Sequence, residues 1–143
     1  MYEESRIELY DYLENLFTEV TENVYPMHKP EELTKSDTEE GFIVITVDNI
    51  RDASEFKRSA FGWARAYVKC YIPHMSRGRL NKPLYESFED GVNDVIQSAT
   101  EDNGGQYWID EDSILSMDDN DDSNADNAYS MFVKSFIVFI SEE

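Results

Sequence analysis

The stretch that most constrains the fold is 61–100, which reads as a strand, a basic connector and an amphipathic helix. Ala66, Val68, Cys70 and Ile72 alternate with Arg65, Tyr67, Lys69 and Tyr71. A period of two puts one set on each face of a strand, so the apolar set faces a core and the basic and aromatic set faces outward. Pro73 closes the run, because proline has no N–H to give to a ladder. Gly78, Asn81 and Pro83 mark the connector. Leu84, Phe88, Val92, Val95, Ile96 and Ala99 then recur at helical spacing, a stripe that a sheet or another helix has to cover.

The flanking sequence supplies partners for that unit. Residues 3–24 are predicted helical, with Leu9, Leu13, Leu16 and Val20 in a stripe and Glu3, Glu4 and Glu8 near the start, where carboxylates suit the helix dipole. Pro26 and Pro30 follow, so the helix stops by about Val24. Residues 25–41 form a polar connector with too few apolar side chains for an element of their own. Residues 42–48, FIVITVD, are a strand apolar on both faces, hence interior. The charged stretch 49–60 is a long excursion between strands, and Asn103, Gly104 and Gly105 end the helix predicted over 83–100. A poorer strand is predicted over 106–115 and a well-patterned one over 129–140, separated by the acidic segment 116–128. The predicted fold is one α+β domain in the order α-β-β-α-β-β. Its mainly antiparallel sheet of about four strands carries the two helices packed on one face.

Charge is unevenly placed along the chain. The net charge is −19 over 143 residues, yet 51–82 holds eight of the twelve basic residues against two acids and stands at +6. The remainder is therefore −25. Such a balance opposes tight binding to nucleic acid or to an acidic membrane. No run of about 18 apolar residues occurs, so no membrane-spanning helix is expected. The acidic N-terminus lacks the basic start of a secretory signal, and a lone cysteine fits a reducing cytoplasm. The basic segment either docks on the acidic part of a neighbouring copy or is the solvated outside of a hairpin.

Motifs for chemistry are sparse. The run Asp118, Asp119, Asn120, Asp121, Asp122, Asn124, Asp126 invites a calcium reading, but an EF-hand loop begun at Asp118 would need glycine and glutamate where Ser123 and Tyr129 stand. A mobile solvated loop is expected there. His28 and His74 have no glutamate or cysteine at metal spacing, and His74 is expected at the surface. Cys70 belongs to the apolar set and is expected in the core. No nucleophile elbow, P-loop or dinucleotide fingerprint occurs, so neither an enzyme, a metal site nor a cofactor is expected.

Taken whole, the chain resembles the tail-terminator, or tail-completion (head–tail joining), proteins of tailed bacteriophages and prophages. The resemblance rests on four features: an N-terminal amphipathic helix followed by a VYP turn at Val24–Pro26; the strand FIVITVD after a polar connector; WARAYVKCYIP running through GRLNKPLYESFEDGVNDVI into a helix; and a last strand pair split by a polar loop and ending at VKSFIVFI. The charged stretch 49–60 and the acidic loop depart from that pattern. The resemblance implies a non-enzymatic ring subunit, hexameric in the family. It would cap the tail tube and meet tail-tube and head-connector proteins, in the host cytoplasm during assembly and then in the virion. The basic segment makes Lys57, Arg58, Trp63, Arg77 and Arg79 the expected subunit interface. The competing reading is an acidic DNA mimic that inhibits a nucleic-acid-binding protein.

Overall fold

The computed structural model of the protein describes residues 2–28, 31–52, 60–75, 79–100, 106–118 and 129–141. Its elements in order are α1 (Tyr2–Phe17), β1 (Val24–Pro26), α2 (Lys35–Glu40), β2 (Phe42–Val47), β3 (Arg51–Asp52), β4 (Ala60–Pro73), α3 (Lys82–Ser98), β5 (Tyr107–Ile109), β6 (Leu115–Asp118) and β7 (Tyr129–Ser141). The class is α+β. The two long strands β4 and β7 pair antiparallel from Ala60↔Ser141 to Pro73↔Tyr129. On the free side of β4 lie β2 and β3, and on the free side of β7 lie β5 and β6. β1 joins the far edge of β2 in parallel.

The register sorts the side chains onto two faces. One face carries Ile43, Ile45 and Val47 of β2, Ala66, Val68, Cys70 and Ile72 of β4, and Phe136, Val138 and Ile140 of β7. These pack with Leu9, Leu13 and Phe17 of α1 and Phe88, Val92 and Ile96 of α3 in a single buried cluster. Small residues sit beside large ones in the ladder. Ala66 pairs with Phe136, whose ring lies 6.4 Å from that of Phe17. Gly91 lets α3 approach the end of α1, since a Cβ there would stand 3.3 Å from Val20 Cγ2. α1 is also tied to the end of β2 by polar groups. The Tyr10 hydroxyl accepts from the Val47 N–H at 2.9 Å, and Arg6 donates to the Val47 carbonyl through Nη2 at 2.7 Å and Nε at 3.1 Å. Those backbone groups lie where β2 leaves its partner strands, so they would otherwise lack a bond.

Several sequence expectations are corrected. Among the described residues the sheet has seven strands rather than about four, and a third helix is present. Val24–Pro26, read as a turn, is a parallel edge strand. The supposed featureless connector contains α2, which is set by caps rather than an apolar stripe. The Thr34 hydroxyl accepts from the Asp37 N–H at 3.1 Å, and the Asp37 carboxylate accepts from the Thr34 N–H at 2.8 Å. The expected strand 106–115 is broken by a 3-10 turn at Glu111–Ser113, capped by Asp110, and resumes as β6 within the segment expected to be loop. Residues 53–59, 101–105 and 119–128 lie outside the described residues. They hold most of the charged excursion, the glycines expected to end α3 and most of the acidic run.

Gly41, between α2 and β2, has φ +86°, and a Cβ built on it would stand 2.7 Å from the Tyr71 carbonyl oxygen. We expect Gly41→Ala to lower stability by about 2–4 kcal/mol through backbone strain and this clash. Urea unfolding followed by circular dichroism checks it. An unchanged midpoint would contradict the fold at this junction.

Candidate functional site

The second sheet face is the candidate site. α1 and α3 lie on the other side, so the register here displays the alternate set. Phe42, Val44 and Thr46 of β2 pair with Tyr71, Lys69 and Tyr67 of β4. Those three pair in turn with Met131, Val133 and Ser135 of β7. Leu115 and Met117 of β6 extend the face at its edge, where they are 53% and 46% exposed. Tyr67, Lys69 and Arg65 are half-buried.

One end of this face is aromatic and closed. Phe42 stacks on Tyr71 with ring centres 4.6 Å apart, and Tyr129 and Tyr25 meet Phe42 edge-on at 5.6 and 6.1 Å. α2 sits at this end, and its fully buried Asp37 accepts a 2.6 Å hydrogen bond from the Tyr25 hydroxyl. So α2 is not on the face that holds α1 and α3. Burial first, and then the hydrogen bond and charge of Asp37, push the Tyr25 phenol up to about 12. Burial and the same carboxylate push Tyr129 up as well.

The other end is basic. The Arg51 guanidinium lies over the Trp63 ring, 5.3 Å from its centre. Trp63 in turn packs beside the buried pair Trp108 and Phe139. Asp48, Asn49, Arg51, Trp63 and Arg65 line a cavity of about 240 Å³. Arg65 Nη1 donates to Ser135 Oγ at 2.8 Å. Among the described residues the one ion pair within 4.0 Å is Lys35–Glu39. Arg51, Arg65 and Lys69 thus have no carboxylate at pairing distance among those residues, in a protein with 31 acids.

Asp37, Glu39 and Glu40 of α2 lie at the aromatic end and Asp48 lines the cavity; a second set of acids lies on the opposite side. Glu8 and Asp11 on α1, and Glu86, Asp90 and Asp94 on α3, are exposed on the helical side of the molecule. They crowd one another near α1: burial first, and then Asp11, push Glu14 above the usual carboxylate range.

Of the residues expected at an interface, Trp63 falls within this site and Arg79 does not. Arg79 is exposed, and its carbonyl accepts from the Met75 N–H at 2.7 Å, just past Pro73 at the other end of the 14-residue β4. Lys57, Arg58 and Arg77 lie outside the described residues. Arg51 and Asp37 were not singled out from the sequence. The Thr34-x-x-Asp37 spacing of a capping box was the signal for the second.

Other chemistry is limited. Burial pushes the Cys70 thiol far up, which leaves it protonated and unreactive. His74 is half-buried rather than at the surface. Its Nε2 lies 2.7 Å from Ser130 Oγ, and its buried Nδ1 has no hydrogen-bond partner among the described residues. Among those residues no group of three or more histidines, cysteines or acids is placed to hold a metal ion. No protein-family model matches the chain, and no curated protein matches its sequence.

Because the folded protein raises the Tyr25 pKa above its ordinary value, the stability this proton supports is present below about pH 10 and is lost as pH rises through about 12. We expect Asp37→Asn to move the Tyr25 titration down, toward that ordinary value. Tyrosinate absorbance against pH reads this directly. An unmoved titration would contradict the Asp37–Tyr25 bond.

Proposed function

We propose that this protein is a structural, non-catalytic subunit of a bacteriophage or prophage tail. It assembles into a ring, hexameric as in the family it resembles, that caps the tail tube and helps join it to the head. It would work in the bacterial host cytoplasm during assembly and remain in the virion, in contact with tail-tube and head-connector proteins. The observation that carries this reading is the division of charge between two sides of one domain. A head-to-tail ring requires two unlike, complementary surfaces on each subunit. Arg51, Arg65 and Lys69 on the sheet face and the carboxylates of α1 and α3 are such a pair. An acidic exterior also suits a channel wall, since it repels phosphates and lets a duplex pass.

The same carboxylates favour a second reading, in which the helical layer imitates nucleic-acid phosphates and blocks a DNA-binding enzyme. A mimic needs only that layer and can act as a monomer.

Tail assembly in the presence of the protein separates the two. We expect the wild-type protein to associate with tail tubes and give tails of uniform length, seen by electron microscopy. Reversing Arg51 and Lys69 to glutamate is expected to give tails of uncontrolled length. Normal capping by the reversed protein would remove those residues from the interface. Tight inhibition of a DNA-binding enzyme with indifference to tail tubes would establish the mimic.

A further inference from the structure

We propose that the sheet face opposite α1 and α3, at the basic end that α2 leaves open, is the docking site for the acidic α1–α3 layer of a second copy of this chain. This deepens the ring reading by naming its surfaces, and it rests on that reading only for the purpose of the contact. Within one molecule this face is partly covered: Phe42, Val44, Val133 and Ser135 are buried, whereas Arg65, Tyr67 and Lys69 are half-buried and Leu115 and Met117 exposed. A layer of helices can bury that remainder, as α1 and α3 bury the opposite face. The occupant is chosen by charge. Arg51, Arg65 and Lys69 have no carboxylate at pairing distance among the described residues, and Asp48 is the one acid lining the cavity between the two arginines. The cavity of about 240 Å³ has room for an incoming carboxylate side chain beside those guanidinium groups.

A second copy offers what is needed. Asp90 and Asp94 stand one helical turn apart on the exposed side of α3, next to Glu86. Exposed Ile7 on α1, at 60%, and exposed Leu115 and Met117 on the sheet face give both surfaces an apolar component. Packing two sheet faces together about a two-fold axis would instead set the cations of one copy against those of the other, which costs free energy. The contact is therefore heterologous, with the sheet of one copy on the helices of the next.

A charge swap tests this. Sedimentation velocity on the full chain at low salt measures self-association of the wild type, of Lys69→Glu, of Asp90→Lys/Asp94→Lys, and of the combined variant. Each surface variant alone is expected to associate at least about tenfold more weakly than wild type. The equimolar mixture of the two, which pairs intact and mutually reversed surfaces, and the combined variant are expected to recover association. Circular dichroism confirms that each variant is folded. If Lys69→Glu fails to fold, the helix variant, altered only at exposed positions, carries the test by itself. A wild type that associates but is indifferent to every reversal overturns this docking and leaves the ring reading standing. A wild type that stays monomeric at all concentrations, with and without tail tubes, overturns both. Binding of a labelled single-stranded oligonucleotide that Lys69→Glu abolishes would assign the face to nucleic acid and overturn the proposal.

Discussion

The rest of the structure depends on the ladder between β4 and β7. It is the longest pairing in the sheet, and every other strand except β1 attaches to one of its two members. β1 attaches through β2. The ladder sits centrally, with a neighbour on each side, so both faces of both strands are set at once. A slip of one residue would exchange Ala66, Val68 and Cys70 for Tyr67 and Lys69 against α1 and α3. Burying Lys69 without a partner there would cost several kcal/mol. Lys134, which does sit on the helix-side face, shows how such a group is tolerated. It lies opposite β6, where its Nζ donates to Ser116 Oγ at 2.6 Å.

Fixing that register also fixes the electrostatics. With α1 and α3 committed to one face, their outward carboxylates and the cations of β4 fall on opposite sides of the sheet. Few of these charges meet within one molecule, as the single described ion pair shows. Each exposed pair across an interface would add only about 0–1 kcal/mol. Such charges choose the orientation of a partner more than they set its affinity. The apolar and aromatic groups on the sheet face, Tyr67, Met131, Ile137 and the edge residues Leu115 and Met117, would provide the larger share through burial.

What could be read from the sequence followed from periodicity. β4, α3, β2 and β7 show strong repeats, because each takes its residues from a large buried face. β1 and β3 could not be read in this way. They have three and two residues and exist because a neighbouring strand offers its edge. α2 has six residues and no apolar stripe, and its stability comes from the Thr34–Asp37 cap and the Asp37–Tyr25 bond. The break between β5 and β6 comes from the Asp110 side chain, which accepts from the Asp112 N–H at 3.2 Å and turns the chain. For the candidate site, the alternation in β4 identified the basic and aromatic face. Net charge along the chain then grouped Trp63 with Arg79. The structure separates them, because a strand of 14 residues carries its two ends far apart.

The central claim is that the sheet face opposite α1 and α3 becomes buried when the protein assembles. Hydroxyl-radical footprinting of the wild-type chain, read by mass spectrometry across a concentration series, tests it within one sample. Met117, Met131 and Tyr67 lie on that face, whereas exposed Met75 lies past the end of β4 at Pro73. The account predicts that oxidation of Met117, Met131 and Tyr67 falls as association proceeds while Met75 remains reactive. Association that leaves Met117, Met131 and Tyr67 as reactive as in the monomer would contradict it.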